Sequence, residues 1–327
     1  SMGFAVVYGA EGMWPPAYVP TRKVARAYGV YLDDDALLRI QRSTIRLAGA
    51  SGFFVSGKGL IVSNHHVALR CIQSLSTPQQ DILANGFVAR SMSDEMRCSG
   101  QDAKALISYA DVTAQFDAIV GASQRSRREH ELQTLLEKRC VEETGLVCEV
   151  VSLYGGVRRL LYRYKVYDDV RLVAAPEAAV AYFGGEQDNF DYPRHGLDVA
   201  LLRAYEHGVP ATVPAYLTLA SKEPTESDFA IGAGHPYRTN RWLPVSQLEL
   251  LRDIRLPFSI ASHDRRIELL TAYQQRSSEA KRETSSLLFS TRNIRKRDIG
   301  YLAALRNPET MKTRDDAFAR LSTAATK

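Results

Sequence analysis

Residues 49–67 read Gly49-Ala-Ser-Gly-Phe-Phe-Val-Ser-Gly-Lys-Gly-Leu-Ile-Val-Ser-Asn-His-His-Val67. Two runs of β-formers flank Gly57-Lys-Gly59, and glycine is the residue that tight turns demand. The pattern predicts a strand pair over 47–63. The second strand ends in two histidines. If the strand continued through them, His65 and His66 would point to opposite faces, and neighbours on a strand cannot both face one metal.

The rest of the chain sorts around that hairpin. Residues 20–46 carry apolar positions at helical spacing after Asp33-Asp-Asp35, and 66–90 and 112–142 lean helical. Val150-Val-Ser-Leu-Tyr154, Leu160-Leu-Tyr-Arg-Tyr164, Val170-Arg-Leu-Val173, Leu197-Asp-Val-Ala-Leu-Leu202 and Phe229-Ala-Ile-Gly-Ala-Gly234 read as strands. After about Pro244 the pattern is helical to the end. A β-rich part is therefore expected up to about residue 245, with helices beyond it.

At 327 residues the chain is long enough for about two domains. It is 45% hydrophobic and 24% charged, the composition of a globular protein. No run approaches the roughly 20 apolar residues of a membrane span. The net charge is +5. Residues 251–327 hold 16 Lys and Arg against 9 Asp and Glu, so that segment is +7 and the remainder −2. Acidic residues interleave with the basic ones there, which reads as a solvated helix face and not a nucleic-acid surface. Ser1-Met2 resembles an expression remnant. Gly3–Ala10 is apolar with small terminal residues, as the stub of a signal peptide would be.

Four cysteines suit an oxidising compartment. Cys140 and Cys148 bracket a short glycine-containing loop, and Cys71 and Cys98 form the other pair; four unpaired thiols are the alternative. Neither spacing is that of a zinc site or a Cys-x-x-Cys redox motif.

The chemistry-bearing residues follow a recognisable order. A serine peptidase needs an imidazole base, a carboxylate that holds its tautomer, and a hydroxyl nucleophile. His66, at the end of an apolar strand, is the base candidate. Asp198, in Leu197-Asp-Val-Ala-Leu-Leu202, is the acid candidate. His-then-Asp is the order of trypsin-type enzymes, which place the base at the rim of a first β-barrel. Ser51 mimics a nucleophile in Gly49-Ala-Ser-Gly52, but it precedes His66 by 15 residues on the same hairpin and reads as structural. No Gly-x-Ser-Gly follows Asp198.

The whole set resembles the bacterial dipeptidyl-peptidase 7/11 family, serine peptidase family 46. The matching motifs are Glu11-Gly-Met-Trp14, residues 49–67, Tyr154-Gly-Gly156, Tyr162-Arg-Tyr164, Asp169–Val173, Phe183-Gly-Gly-Glu-Gln-Asp-Asn-Phe-Asp-Tyr-Pro-Arg-His195, Asp198 and Gly234-His-Pro-Tyr-Arg-Thr-Asn240. The resemblance implies a mainly β fold with α. Residues 11–245 would form the first trypsin/chymotrypsin-like barrel, with helical insertions. Residues 246–327 would form part of a helical domain, and residues 1–10 would be a tag or signal remnant.

It implies release of dipeptides from free peptide N-termini, no cofactor and no metal, and a periplasmic or secreted location. Asn189, Phe190 and Asn293 would hold the substrate α-ammonium; an amide oxygen accepts from an ammonium and an aromatic face attracts it. The family often carries tryptophan at the Phe190 position. It also often has cysteine at the Val67 position, which leaves the partner of Cys71 open.

Family members are about twice this length. The nucleophile would then lie in a C-terminal barrel beyond Lys327, and the chain alone is expected to be inactive. The rival readings are a non-catalytic binder of peptide N-termini and one half of a split enzyme. The missing half or a homodimer mate would then be the partner.

Overall fold

The computed structural model describes residues 13–47, 49–119, 125–181, 189–191, 195–235 and 243–325. The expected tag or signal remnant at 1–10 lies outside these, as do most of the Phe183–His195 block and residues 236–240 of the Gly234 motif. Contacts divide the chain into two compact units, each built from three segments. The first takes residues 1–61, 102–169 and 203–235; the second takes 62–101, 170–202 and 236–327.

The elements run in order α1 (Thr21–Tyr28), α2 (Asp34–Ser43), β1 (Thr44–Leu47), β2 (Ala50–Phe54), β3 (Leu60–Ser63), α3 (His65–Leu75), α4 (Ile82–Asn85), β4 (Phe87–Val88) and β5 (Met96–Arg97). They continue with β6 (Ala103–Asp111), α5 (Thr113–Asp117), α6 (Arg125–Thr144), β7 (Val147–Leu153), β8 (Arg158–Tyr167), β9 (Asp169–Ala175), β10 (Ala200–Glu206) and β11 (Val209–Pro210). Four helices close the described chain: α7 (Val245–Leu250), α8 (Leu256–Gln274), α9 (Ser278–Arg306) and α10 (Pro308–Ala325).

In the first unit, antiparallel pairings join β2 to β1, β1 to β6, β6 to β8 and β8 to β7. Registers such as Ile45↔Gly52 and Ile45↔Ala105 turn Ile45, Leu47, Phe54 and Ala105 into a core with 0–1% exposure. Helix α2 starts where Asp33 Oδ1 accepts the Ala36 N–H at 2.7 Å, a side-chain N-cap. It stops where the chain turns extended at Thr44. The helical pattern read over 20–46 is thus two helices followed by a strand.

The Gly57-Lys-Gly59 turn forms as read, with Val55 N–H bonding the Leu60 carbonyl at 2.8 Å. Gly59 has φ +65°, and a Cβ there would lie 2.8 Å from the Ala204 oxygen, so no other residue fits. The Cys140–Cys148 disulfide ties α6 to β7. It packs with Val112, Phe116 and Leu161 in a satellite core.

Residues 229–234 form no strand. Phe229 and Ile231 stay 37% and 45% exposed, with Phe229 against the Tyr28 ring. The segment leads into a tight contact: Ser51 Oγ accepts the His235 N–H at 2.7 Å, and a Cβ on Gly234 would lie 2.7 Å from that same oxygen. Ser51 therefore fastens the 234–235 backbone, in keeping with a structural role.

In the second unit, β4 and β5 both pair with β9, at Phe87↔Ala175 and Met96↔Leu172. The Cys71–Cys98 disulfide links α3 to the residue after β5. Helix α7 runs through a π-turn at Leu251–Arg255 into α8, and α9 packs back along α8. Helix α9 is capped by Ser277, whose side chain accepts the Ala280 N–H at 3.0 Å. It touches α3 through Arg282, which donates to the Ser76 carbonyl at 2.9 Å. No described helix is long and apolar enough to cross a membrane.

Candidate active site

The site is built on the junction between β3 and α3. Ser63 ends the strand, Asn64 stays extended at φ −79° and ψ 149°, and His65 begins the helix. Alternation does not continue through the histidines. The buried positions of α3 are His65, Ala68, Cys71 and Ile72, which is helical spacing. His65 and His66 are consequently successive helix positions about 100° apart, which corrects the expectation of opposite strand faces.

A helix leaves its first N–H groups without intrahelical partners. Asn64 makes no side-chain cap to α3. The cap comes from 132 residues away: Asp198 Oδ1 accepts the His66 backbone N–H at 3.0 Å. Its other oxygen, Oδ2, lies 2.7 Å from His66 Nδ1. Asn64 Nδ2 donates to the Asp198 carbonyl at 3.1 Å and to Oδ2 at 3.3 Å. The carboxylate thus sits at the positive end of α3, where a negative charge is favoured.

Asp198 lies in the extended segment just before β10, anchored by Leu197 N–H to the Val180 carbonyl at 3.0 Å. Its side chain is 9% exposed, against 32% for His66. The acid is buried and oriented while the imidazole reaches solvent. A carboxylate on Nδ1 favours the Nδ1–H tautomer and leaves Nε2 as the acceptor edge. His65 is 3% exposed. Burial is the largest influence on its pKa and pushes it down, while the Asp198 charge opposes that shift.

The other candidates also meet. Asn189 is 1% exposed, and its Nδ2 donates to Asn293 Oδ1 on α9 at 3.0 Å. The bond turns the Asn189 Oδ1 away from Asn293. Phe190 is 58% exposed and held at φ +68°, an unusual conformation for a side-chain-bearing residue. Asp191 next to it pairs with Lys296 at 3.3 Å, one helical turn beyond Asn293.

Asn64 is a site residue that sequence reasoning passed over. An asparagine immediately before an apolar helical repeat was the available signal. Its reach to Asp198 was not visible in the sequence.

A family model described as Peptidase S46 matches residues 9–327. Dipeptidyl-peptidase 7 of Porphyromonas gingivalis is 32% identical over 273 residues, covering 74% of this chain and 38% of that protein. Dipeptidyl-peptidase 7 of Phocaeicola vulgatus is 27% identical over 344 residues, covering 96% of this chain and 48% of that protein. The crystal structure of Porphyromonas endodontalis DPP11 in complex with the dipeptide Arg-Glu superposes with a TM-score of 0.84 at 22% identity. It covers 93% of this chain and 48% of that one. The chain spans about half the length of the curated relatives it matches. Its fold, antiparallel strands together with helices, matches that solved structure and agrees with the class the sequence suggested. The chain belongs to the peptidase S46 family.

Proposed function

We propose that the protein is a serine-type dipeptidyl peptidase acting on peptides with free N-termini. Residues 1–327 would supply the base, the acid and the amine anchor. The observation that carries this reading is the His66–Asp198 pair: Nδ1 on a buried carboxylate at 2.7 Å, with the imidazole part-exposed. In this reading a serine hydroxyl attacks the second peptide carbonyl of the substrate as His66 Nε2 takes its proton. The imidazolium is stabilised by Asp198 and returns that proton to the departing amine, freeing the shortened peptide. Water then releases the dipeptide from the acyl-enzyme by the same proton path. Asn189, oriented by Asn293, and the exposed face of Phe190 would receive the α-ammonium and so fix the cut two residues in.

In this reading the serine would lie outside the 327 residues, a placement supported by the lack of a Gly-x-Ser-Gly after Asp198. The disulfides Cys71–Cys98 and Cys140–Cys148 support a periplasmic or secreted location.

The test uses dipeptide–chromophore substrates, free or N-acetylated, with this chain alone, with full-length protein and with full-length His66→Ala. Turnover by the full-length protein alone, lost on acetylation and in His66→Ala, is expected. Equal cleavage of acetylated substrates, or turnover indifferent to His66→Ala, would overturn the reading. Turnover by this chain alone would place the nucleophile within it.

A further inference from the structure

His65 stands beside the candidate dyad, and the reaction proposed above gives it no task. Its ring is 3% exposed, and its Nε2 is fully buried with no hydrogen-bond partner among the described residues. It occupies the first turn of α3, where the helix dipole disfavours a cation. The Pro176 carbonyl faces it. Among the described residues, the charged and titratable groups that reach it are the Asp198 carboxylate, from the segment before β10, and the neighbouring His66 imidazole. A proton added at Nε2 would meet no acceptor, and leaving a buried donor unsatisfied is unfavourable. The cation so formed would also compete with His66 for the one carboxylate that both share.

We infer that His65 is a positioning residue: by staying uncharged it leaves Asp198 committed to His66, and its protonation uncouples the pair. The inference rests on the His66–Asp198 reading but not on turnover. Burial lowers the His65 pKa, so the ring takes its proton at a lower pH than a free imidazole does. His65 would then set the acid limit at which the dyad survives.

The experiment is a pH titration of this 327-residue chain, labelled with ¹⁵N-histidine. Two signals are followed: the His65 ring nitrogens and the far-downfield Nδ1 proton of His66. That proton should be visible at neutral pH. Its absence in the folded wild type would sink the dyad reading itself, which separates that failure from failure of the His65 role. With the proton present, the wild type should show His65 taking its proton at a lower pH than free histidine, and the His66 signal should vanish in the step that protonates His65. His65→Gln and His65→Asn cannot titrate, and in them the signal should persist to lower pH than in the wild type. Loss at the wild-type pH in both folded variants overturns the inference. So does a His65 that charges together with free histidine while the His66 signal is unmoved. The wild-type titration decides even if neither variant folds.

Discussion

Replacing Asp198 by Asn isolates what its charge does. The amide keeps an oxygen that can accept the His66 N–H, now at 3.0 Å, so α3 keeps its distant cap. It loses the charge 2.7 Å from Nδ1. At an effective dielectric of about 20, an imidazolium and a carboxylate at that distance attract by about 6 kcal/mol. The 32% exposure of His66 lets water screen part of this, so about 4–6 kcal/mol is the working range. That attraction exists only once His66 holds the proton, so its loss falls on the transition state.

The amide presents a second difficulty. Its NH2 group would face both Asn64 Nδ2 and an Nδ1–H, and relieving the clash favours the wrong tautomer. At about 1.4 kcal/mol per decade the expected fall in kcat is about 10³–10⁴-fold, the size seen when a trypsin-type triad loses this charge. KM should change little, since the lost attraction arises only once His66 holds the proton. The assay is steady-state release of a chromophore from free dipeptide substrates by full-length protein, with urea unfolding as a fold control. A folded Asp198→Asn enzyme within tenfold of wild type would refute the reasoning.

Three more expectations follow from the geometry. Asn189→Ala strands the Asn293 oxygen it meets at 3.0 Å; a loss of about 1–3 kcal/mol should raise KM about 10–100-fold, read on free against N-acetylated substrates. Chain-entropy arguments give about 3.5 kcal/mol for Cys71–Cys98, closing 27 residues, and about 2.5 kcal/mol for Cys140–Cys148, closing 8. Paired Cys→Ser variants should unfold in that order in urea. His235 is pushed down to about 4 from 6.5 by burial and by the Arg46 charge. The unfolded chain therefore binds a proton that the folded one refuses as pH falls below 6.5. Stability attached to this group is complete above that pH and declines towards pH 4, by on the order of 2 kcal/mol at pH 4.5 after allowing for its partial exposure. His235→Phe should flatten the pH dependence of the urea midpoint between 7 and 4.5.

The parts of the fold visible in the sequence were those where local pattern and tertiary demand agree. The hairpin over 47–63 was legible because Gly59 must be glycine and the flanking strands are apolar. Strand β6 was not. Its residues Ala103–Asp111 are rich in small side chains, and a bulge between Leu106 and Ser108 breaks the alternation. The apolar Phe229–Gly234 run misled in the opposite sense, since hydrophobicity without a pairing partner makes no strand.

The site divides along the same line. His66 and Asp198, which the structure brings together, could be paired as candidates because their order in the chain is itself a signal. The helix at His65 could not be separated from a continuing strand over so few residues. The decisive bonds span 132 and 134 residues, from Asp198 to His66 and from Asn64 to Asp198. One carboxylate caps α3, orients the imidazole and receives Asn64, so the helix start and the dyad are a single structure. A residue that caps a helix and holds an imidazole through the same two oxygens cannot be read from local pattern. That is why the reach of Asn64 to Asp198 came into view only when the distant segment before β10 was in place.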